Sequence, residues 1–89
     1  MEYCIDCTGI GSAKELHQLL AQALPFPDWY GSNLDALYDC LTELEEPTHV
    51  ILRNWTTAGP FIWGFHRAMA DAQQDNPSFT VTFENEPGL

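Results

Sequence analysis

The order in which strand-like and helix-like hydrophobic patterns follow one another constrains this chain more than any single motif. Near the N-terminus Tyr3, Ile5 and Cys7 alternate with polar residues, and 78–83 alternates in the same way, which is the period of a strand with one buried face. The continuous apolar run 50–52 predicts a strand that is covered on both sides or lies centrally. Helical patterns fill the two intervals between these strands. Because helical crossovers usually join parallel strands, we expect an α/β fold: a three-stranded parallel sheet in the order β-α-α-β-α-β, with helices mainly on one face.

Three segments carry hydrophobic residues at the spacing of an amphipathic helix. The first begins at Ser12, which stands three residues before Glu15 in the pattern of a capping box, and ends before the prolines at positions 25 and 27. The second begins near Ser32 or Asn33 and runs to about Glu43, and the third has a proline at position 60 as its first residue. The three apolar stripes are Leu16, Leu19, Leu20, Ala23 and Leu24; Leu34, Leu37, Leu41 and Leu44; and Phe61, Phe65, Ala68, Met69 and Ala72.

The length of 89 residues is enough for one small core, so we expect a single domain over residues 1–89 with a frayed tail at 84–89. No positively charged leader precedes an apolar stretch, and the apolar runs are short. Neither export nor membrane spanning is indicated, and a cytoplasmic location is expected. Three cysteines cannot all pair with one another, which fits a reducing compartment.

The chain is strongly acidic, because three Lys and Arg residues against thirteen Asp and Glu give a formal net charge of −10. This charge repels nucleic-acid phosphates and anionic membrane surfaces, so neither is expected as a partner. A basic protein is the complementary partner, although acidity that serves only solubility accounts for the same charge.

Metal, redox and nucleotide chemistry are not indicated. In a strand, Cys4 and Cys7 point to opposite faces with Cα atoms roughly 10 Å apart, which is beyond disulfide reach. No second Cys or His pair at close spacing completes a zinc site. His17, His49 and His66 are scattered over different predicted elements and are interpreted as surface or half-buried imidazoles. No glycine-rich phosphate loop follows the first strand, and we expect no metal, no cofactor and no enzymatic activity.

The segment DWYGSNLDALYDCL places Asp35 and Asp39 one helical turn apart, on the face opposite the leucines. Asp35 has a structural explanation, because it lies three residues after Ser32 and can close a capping box in the first turn. Asp39 has none, since Asp is a mediocre helix former and the like charge at i−4 costs about 0.2–0.5 kcal/mol. Two short carboxylates beside Tyr38 are typical of a recognition surface.

At these residues the sequence closely resembles the barstar family of intracellular ribonuclease inhibitors, through LPFPDWYGSNLDALYDCLTE at 24–43, ELHQLL at 15–20 and FHRAMADA at 65–72. The resemblance spans nearly the whole chain and implies a barstar-like fold, a monomeric free state and a 1:1 complex with a basic, barnase-like ribonuclease. It implies that the carboxylate of Asp39 takes the place of the substrate phosphate in the nuclease active site. The other contact positions that it carries over are Trp29, Gly31, Asn33, Asp35, Tyr38 and Thr42.

Three positions depart from the family pattern: Trp29 stands where barstar has Tyr, Tyr38 where it has Trp, and Leu44 where it has a further Trp. The acid that the family adds from its third helix has two candidates here, Asp71 and Asp75. These departures leave open a second hypothesis, an acidic interaction or regulatory module of the same fold that binds a different basic protein. A third hypothesis, an enzyme that uses two aspartates as acid and base, requires a concave apolar pocket that no segment is long enough to roof.

Overall fold

The structure is a computed structural model that describes residues 1–28, 30–55 and 61–84. Its elements are β1 (Glu2–Asp6), α1 (Ala13–Ala23), α2 (Leu34–Thr42), β2 (Thr48–Arg53), α3 (Ile62–Asp75) and β3 (Phe79–Glu84). Within the described ranges, the strands form one parallel sheet in the order β1-β2-β3. The predicted α/β fold and its β-α-α-β-α-β order are confirmed, and β2 lies centrally, as its continuous apolar run predicts.

Strand alternation gives the sheet one covered face and one open face. The row Ile5, Leu52 and Phe83 crosses the sheet on the face that the helices cover, and the first two of these residues are buried. The open face carries the rows Glu2, His49 and Thr80; Cys4, Ile51 and Thr82; and Asp6, Arg53 and Glu84. Helices therefore pack on one face, as the alternating strands indicate.

The core lies between the covered face of the sheet and the helices. Its buried hydrophobic side chains, among the described residues, are Ile5, Cys7, Leu16, Leu20, Leu24, Leu37, Leu41, Val50, Leu52, Trp55, Ile62, Phe65, Met69, Ala72 and Phe79. Leu34 differs from its predicted place in the core stripe, because it is 38% exposed. It lies over Gly64 of α3, where an added Cβ would come within 2.9 Å of the Leu34 Cδ1 atom. Ile62 was not predicted as a core residue and is buried.

The start of α1 follows the sequence prediction. The Ser12 hydroxyl accepts a hydrogen bond from the Glu15 N–H at 3.2 Å. The Glu15 carboxylate, in turn, accepts from the Gly11 N–H at 2.8 Å, one residue earlier than in a standard capping box.

The start of α2 departs from the prediction, because no capping box joins Ser32 and Asp35. The N-cap is Asn33, whose side-chain oxygen accepts a hydrogen bond from the Ala36 N–H at 2.8 Å. Ser32 has φ 54°, which is left-handed backbone, whereas an N-cap residue has extended backbone. Asp35 therefore lies in the first turn, where the helix dipole favours a carboxylate, without a capping role.

The ends of the third helix and of the chain are only partly described. α3 begins at Ile62, and the predicted start at residue 60 lies outside the described residues. Glu84 belongs to β3, and its carboxylate lies 3.5 Å from the Arg53 Nε. The rest of the predicted frayed tail, 85–89, also lies outside the described residues, so the tail stays a prediction.

Two hydrogen bonds join the edge strand β3 to α3 and to the turn that follows it. The Val81 N–H donates to the Gln73 side-chain oxygen at 2.7 Å. The Phe79 N–H donates to the Asn76 carbonyl at 3.0 Å. Part of the outer backbone of β3 is thus satisfied by the chain itself.

Asn76 is a buried polar residue that connects the end of α2 to the α3–β3 turn. Its side-chain NH₂ donates to the Leu41 carbonyl at 2.9 Å and to the Leu44 carbonyl at 3.0 Å. Its side-chain oxygen accepts from the Ser78 N–H at 3.0 Å. One amide therefore satisfies two carbonyls at the end of α2 and one N–H of the turn, which buried polar groups require.

The cysteines are free thiols in the structure: Cys4 is exposed, while Cys7 and Cys40 are buried. Burial raises the pKa of the Cys7 thiol to about 11. Among the described residues, no group of three or more His, Cys, Asp or Glu side chains could hold a metal ion. None of the described helices combines the length and the hydropathy needed to cross a bilayer.

Cys4→Ser is expected to change the free energy of unfolding by about 0.5 kcal/mol or less, because the side chain lies on the open face of the sheet. Cys7→Ser should cost more, about 1–3 kcal/mol, because it places a hydroxyl in a fully buried site. Urea unfolding of the two variants measures the difference. A stoichiometric zinc ion in metal-replete protein that is lost in the Cys4 variant would contradict this interpretation.

Candidate functional site

The two aspartates of α2 lie on its solvent face, as predicted. Asp35 and Asp39 are both exposed, and Leu37 and Leu41 on the other side of the helix are fully buried. Within the described part of the chain, neither carboxylate has a hydrogen bond or an ion pair. The charge on this helix is therefore available to a partner.

α3 adds two further carboxylates to the same surface. The Tyr38 hydroxyl donates a hydrogen bond to the Asp75 carboxylate, and Asp71 lines the groove beside Tyr38 and Asp35. The hydrogen bond to Asp75 raises the pKa of the Tyr38 phenol, and the negative charges of Asp75, Asp71 and Asp39 raise it further. Both candidate acids of the third helix thus lie close to Tyr38. We call the surface formed by Asp35, Asp39, Asp71 and Asp75 the acidic face.

The loop that enters α2 holds two further predicted contact positions, Gly31 and Asn33. Gly31 and Asn33 are exposed, and the Gly31 carbonyl accepts a hydrogen bond from the Asn33 side chain at 3.4 Å. Because Asn33 also caps α2, its side chain fixes the helix start as well as the loop. Trp29 lies outside the described residues.

Thr42 lies at the far end of α2 and is half-buried. Its hydroxyl donates to backbone carbonyls of the same helix, those of Tyr38 at 3.0 Å and Asp39 at 3.1 Å. The structure therefore places Thr42 beside the acidic face, with its hydroxyl turned to the helix backbone.

His17 is a residue of this region that sequence reasoning missed. The interpretation of His17 as a surface or half-buried imidazole is wrong, because the residue is buried with 5% exposure. Its Nδ1 atom lies 2.5 Å from the Tyr30 hydroxyl, and its ring centroid lies 4.5 Å from that of Phe65. The Tyr30 ring also packs on Phe26 at 4.8 Å. α1 thus anchors the loop before α2 through one partly buried hydrogen bond.

This burial predicts a pH dependence of stability. Burial lowers the pKa of His17 in the folded state, so the unfolded chain binds a proton first as the pH falls. We expect the free energy of unfolding to decrease below about pH 6.5, by up to about 1.4 kcal/mol per pH unit for this group. Urea unfolding at pH 5.5 and 7.5 measures the loss. His17→Gln is the control, and an equally steep loss in that variant would assign the effect to other groups.

Comparison with known proteins identifies the family of this chain. The sequence model of the family described as "Barstar (barnase inhibitor)" matches residues 1–84. The chain belongs to the barstar family. A Bacillus subtilis (strain 168) protein named "Putative ribonuclease inhibitor YrdF" is 39% identical over 62 residues, which cover 68% of each chain.

Barstar family membership confirms the predicted resemblance and the fold that it implies. Two of the three departures from the family pattern can be placed in the structure. Tyr38 is half-buried and bound to Asp75, and Leu44 is half-buried against the core. Both side chains are therefore partly withdrawn from solvent, while the two acids of α2 are exposed.

Proposed function

We propose that this chain is a non-catalytic inhibitor of a basic ribonuclease and that its acidic face enters the nuclease active site. One observation carries the proposal. Asp35 and Asp39 stand exposed on one face of α2 in a barstar family chain, without partners among the described residues. The relative named as a ribonuclease inhibitor supports the same role.

The chemistry of inhibition follows from what a carboxylate on a helix can do. Asp39 accepts bidentate hydrogen bonds from an arginine and supplies a negative charge in place of the substrate phosphate that the cations of the active site bind. It offers no bond that the nuclease can cleave. Because α2 is packed on the core through Leu37 and Leu41, the helix backbone that carries Asp39 is already ordered before binding, which lowers the entropy cost of the complex.

The remaining contact positions surround Asp39 in this proposal. Asp35 and Asp71 add charge beside it, and Tyr38 is held by Asp75. The loop residues Gly31 and Asn33 pack on the rim of the active site, together with Trp29, and Thr42 lies at the other end of the contact. The complex is 1:1, the free chain is a monomer, and the inhibitor acts in the cytoplasm.

The proposal is tested by titrating the purified chain against a panel of purified barnase-like ribonucleases, barnase first, with a fluorogenic RNA substrate. We expect stoichiometric inhibition of at least one nuclease. Inhibition that requires a large excess of the chain for every enzyme in the panel would contradict the proposed function.

Association with the inhibited nuclease is expected to be fast and strongly salt-sensitive. A formal charge of −10 steers a basic enzyme toward the acidic face, and salt screens this attraction over a Debye length of about 10 Å at 0.1 M. Stopped-flow association rates should therefore fall steadily as the salt concentration rises. A rate that stays flat from low to high salt would show that charge does not steer the encounter.

A further inference from the structure

A shallow groove of about 270 Å³ lies between α2 and α3. It is lined by Leu34, Asp35, Tyr38, Gly64, Arg67, Ala68 and Asp71. Asp35 and Asp71 belong both to this groove and to the acidic face. A protein that covers the acidic face therefore also covers the part of the groove that these two residues line.

Arg67 is the feature of the groove that attraction to a basic enzyme does not explain. The sequence has three Lys and Arg residues, which are Lys14, Arg53 and Arg67. Arg53 lies on the open face of the sheet beside Glu84, and Lys14 lies in the first turn of α1. Arg67 is exposed among the acids of the proposed binding surface. A positive charge there reduces the attraction that a basic nuclease experiences.

The folded structure does not explain Arg67 either. Within residues 1–28, 30–55 and 61–84, no carboxylate lies at ion-pair distance from its guanidinium. Asp71 follows four residues later on the same helix, but a cation placed N-terminal to its anion is the weaker order for such a pair. An exposed helix position of this kind is filled equally well by Gln or Glu.

We propose that Arg67 is a specificity-determining residue that receives an acidic side chain of the bound ribonuclease in the α2–α3 groove. This inference rests on the proposed function. The guanidinium binds a carboxylate through two parallel hydrogen bonds. The apolar surface of Leu34, Gly64 and Ala68 excludes water around the pair once the groove is covered. In a complex with a nuclease that lacks this acid, the Arg67 guanidinium is covered and unpaired. Such a nuclease is therefore bound more weakly.

The test compares Arg67→Gln with Lys14→Gln, using the panel nuclease that the parent chain inhibits most tightly. Both substitutions make the chain more negative by one charge, so long-range attraction alone predicts equal or faster association for both. The proposal predicts in addition that Arg67→Gln dissociates about 10- to 100-fold faster. Lys14→Gln should dissociate at the parent rate. Arg67→Lys, which keeps the charge, should recover part of the residence time.

The outcomes separate this inference from the proposed function. If Arg67→Gln dissociates at the parent rate or more slowly while the parent still inhibits, the Arg67 inference is overturned and the inhibitor function stands. If the parent chain inhibits no nuclease of the panel, the Arg67 inference and the proposed function are both contradicted. Urea unfolding midpoints of the variants, expected to be unchanged, separate a lost contact from a damaged fold.

Discussion

Asp39→Ala is expected to weaken ribonuclease binding by about 3–5 kcal/mol, because the cations of the nuclease active site would then be buried without their counter-charge. The same substitution should leave the fold intact and raise the free energy of unfolding by up to about 1 kcal/mol. Ala is the better helix former, and the repulsion between Asp39 and Asp35 disappears. The exposed Asp39 side chain has no partner to lose among the described residues. Inhibition kinetics and urea unfolding of one preparation measure both effects.

Asp35→Ala is the matched control for this prediction. Because Asn33 rather than Ser32 caps α2, removal of Asp35 leaves the cap in place. It costs the favourable interaction with the helix dipole, about 0.3–1 kcal/mol, and the relieved repulsion with Asp39 and the higher helix propensity of Ala offset part of this cost. We therefore expect weaker binding and little net change in stability. An Asp39→Ala chain that binds as tightly as the parent, or that unfolds markedly sooner, would show that this carboxylate does not act as the phosphate mimic.

Asn76→Ala is expected to lower the free energy of unfolding by about 2–4 kcal/mol, although the residue lies outside the acidic face. Its amide satisfies the carbonyls of Leu41 and Leu44 and the N–H of Ser78. Truncation removes this partner from the Leu44 carbonyl and the Ser78 N–H, and the Leu41 carbonyl keeps only its hydrogen bonds from the backbone N–H groups of Glu43 and Leu44. Urea or thermal unfolding measures the loss.

Two further variants test the loss of stability expected for Asn76→Ala. Asn76→Asp keeps the size of the side chain and the acceptor for Ser78, but it turns a carboxylate oxygen toward two carbonyl oxygens. It should be destabilised at pH 7 at least as strongly as the Ala variant. Gln74→Ala, at an exposed position of α3, should stay within about 0.5 kcal/mol of the parent. If Asn76→Ala costs no more than Gln74→Ala, the buried amide does not hold the end of α2.

The fold follows from local patterns that can be read along the chain. Alternation of apolar and polar residues places Ile5 and Phe79 on the covered face of the sheet. The continuous apolar run 50–52 marks β2 as the central strand. The exposed place of Asp39 follows from helical periodicity in the same way. These features depend on spacing within a single element.

The features that sequence reasoning missed depend on contacts between elements or on backbone conformation. Ser32 and Asn33 are equally good N-cap residues, and the left-handed φ of Ser32 decides between them. The burial of His17 requires the Tyr30 loop to fold over α1. The approach of Asp75 to Tyr38 requires the packing of α3 beside α2. None of these features produces a periodic pattern of residues in the sequence.

The side chain of Gln73 has a consequence for the behaviour of this chain at high concentration. The outer edge of a sheet presents backbone groups on which strands of other molecules can assemble, which is a common start of aggregation. In β3, the N–H of Val81 is already occupied by Gln73, and that of Phe79 is occupied by the turn before it. An incoming strand has to break both hydrogen bonds before it can form its own. Helix α3 thus both carries acids of the proposed binding surface and, through Gln73, covers part of the β3 edge of the sheet.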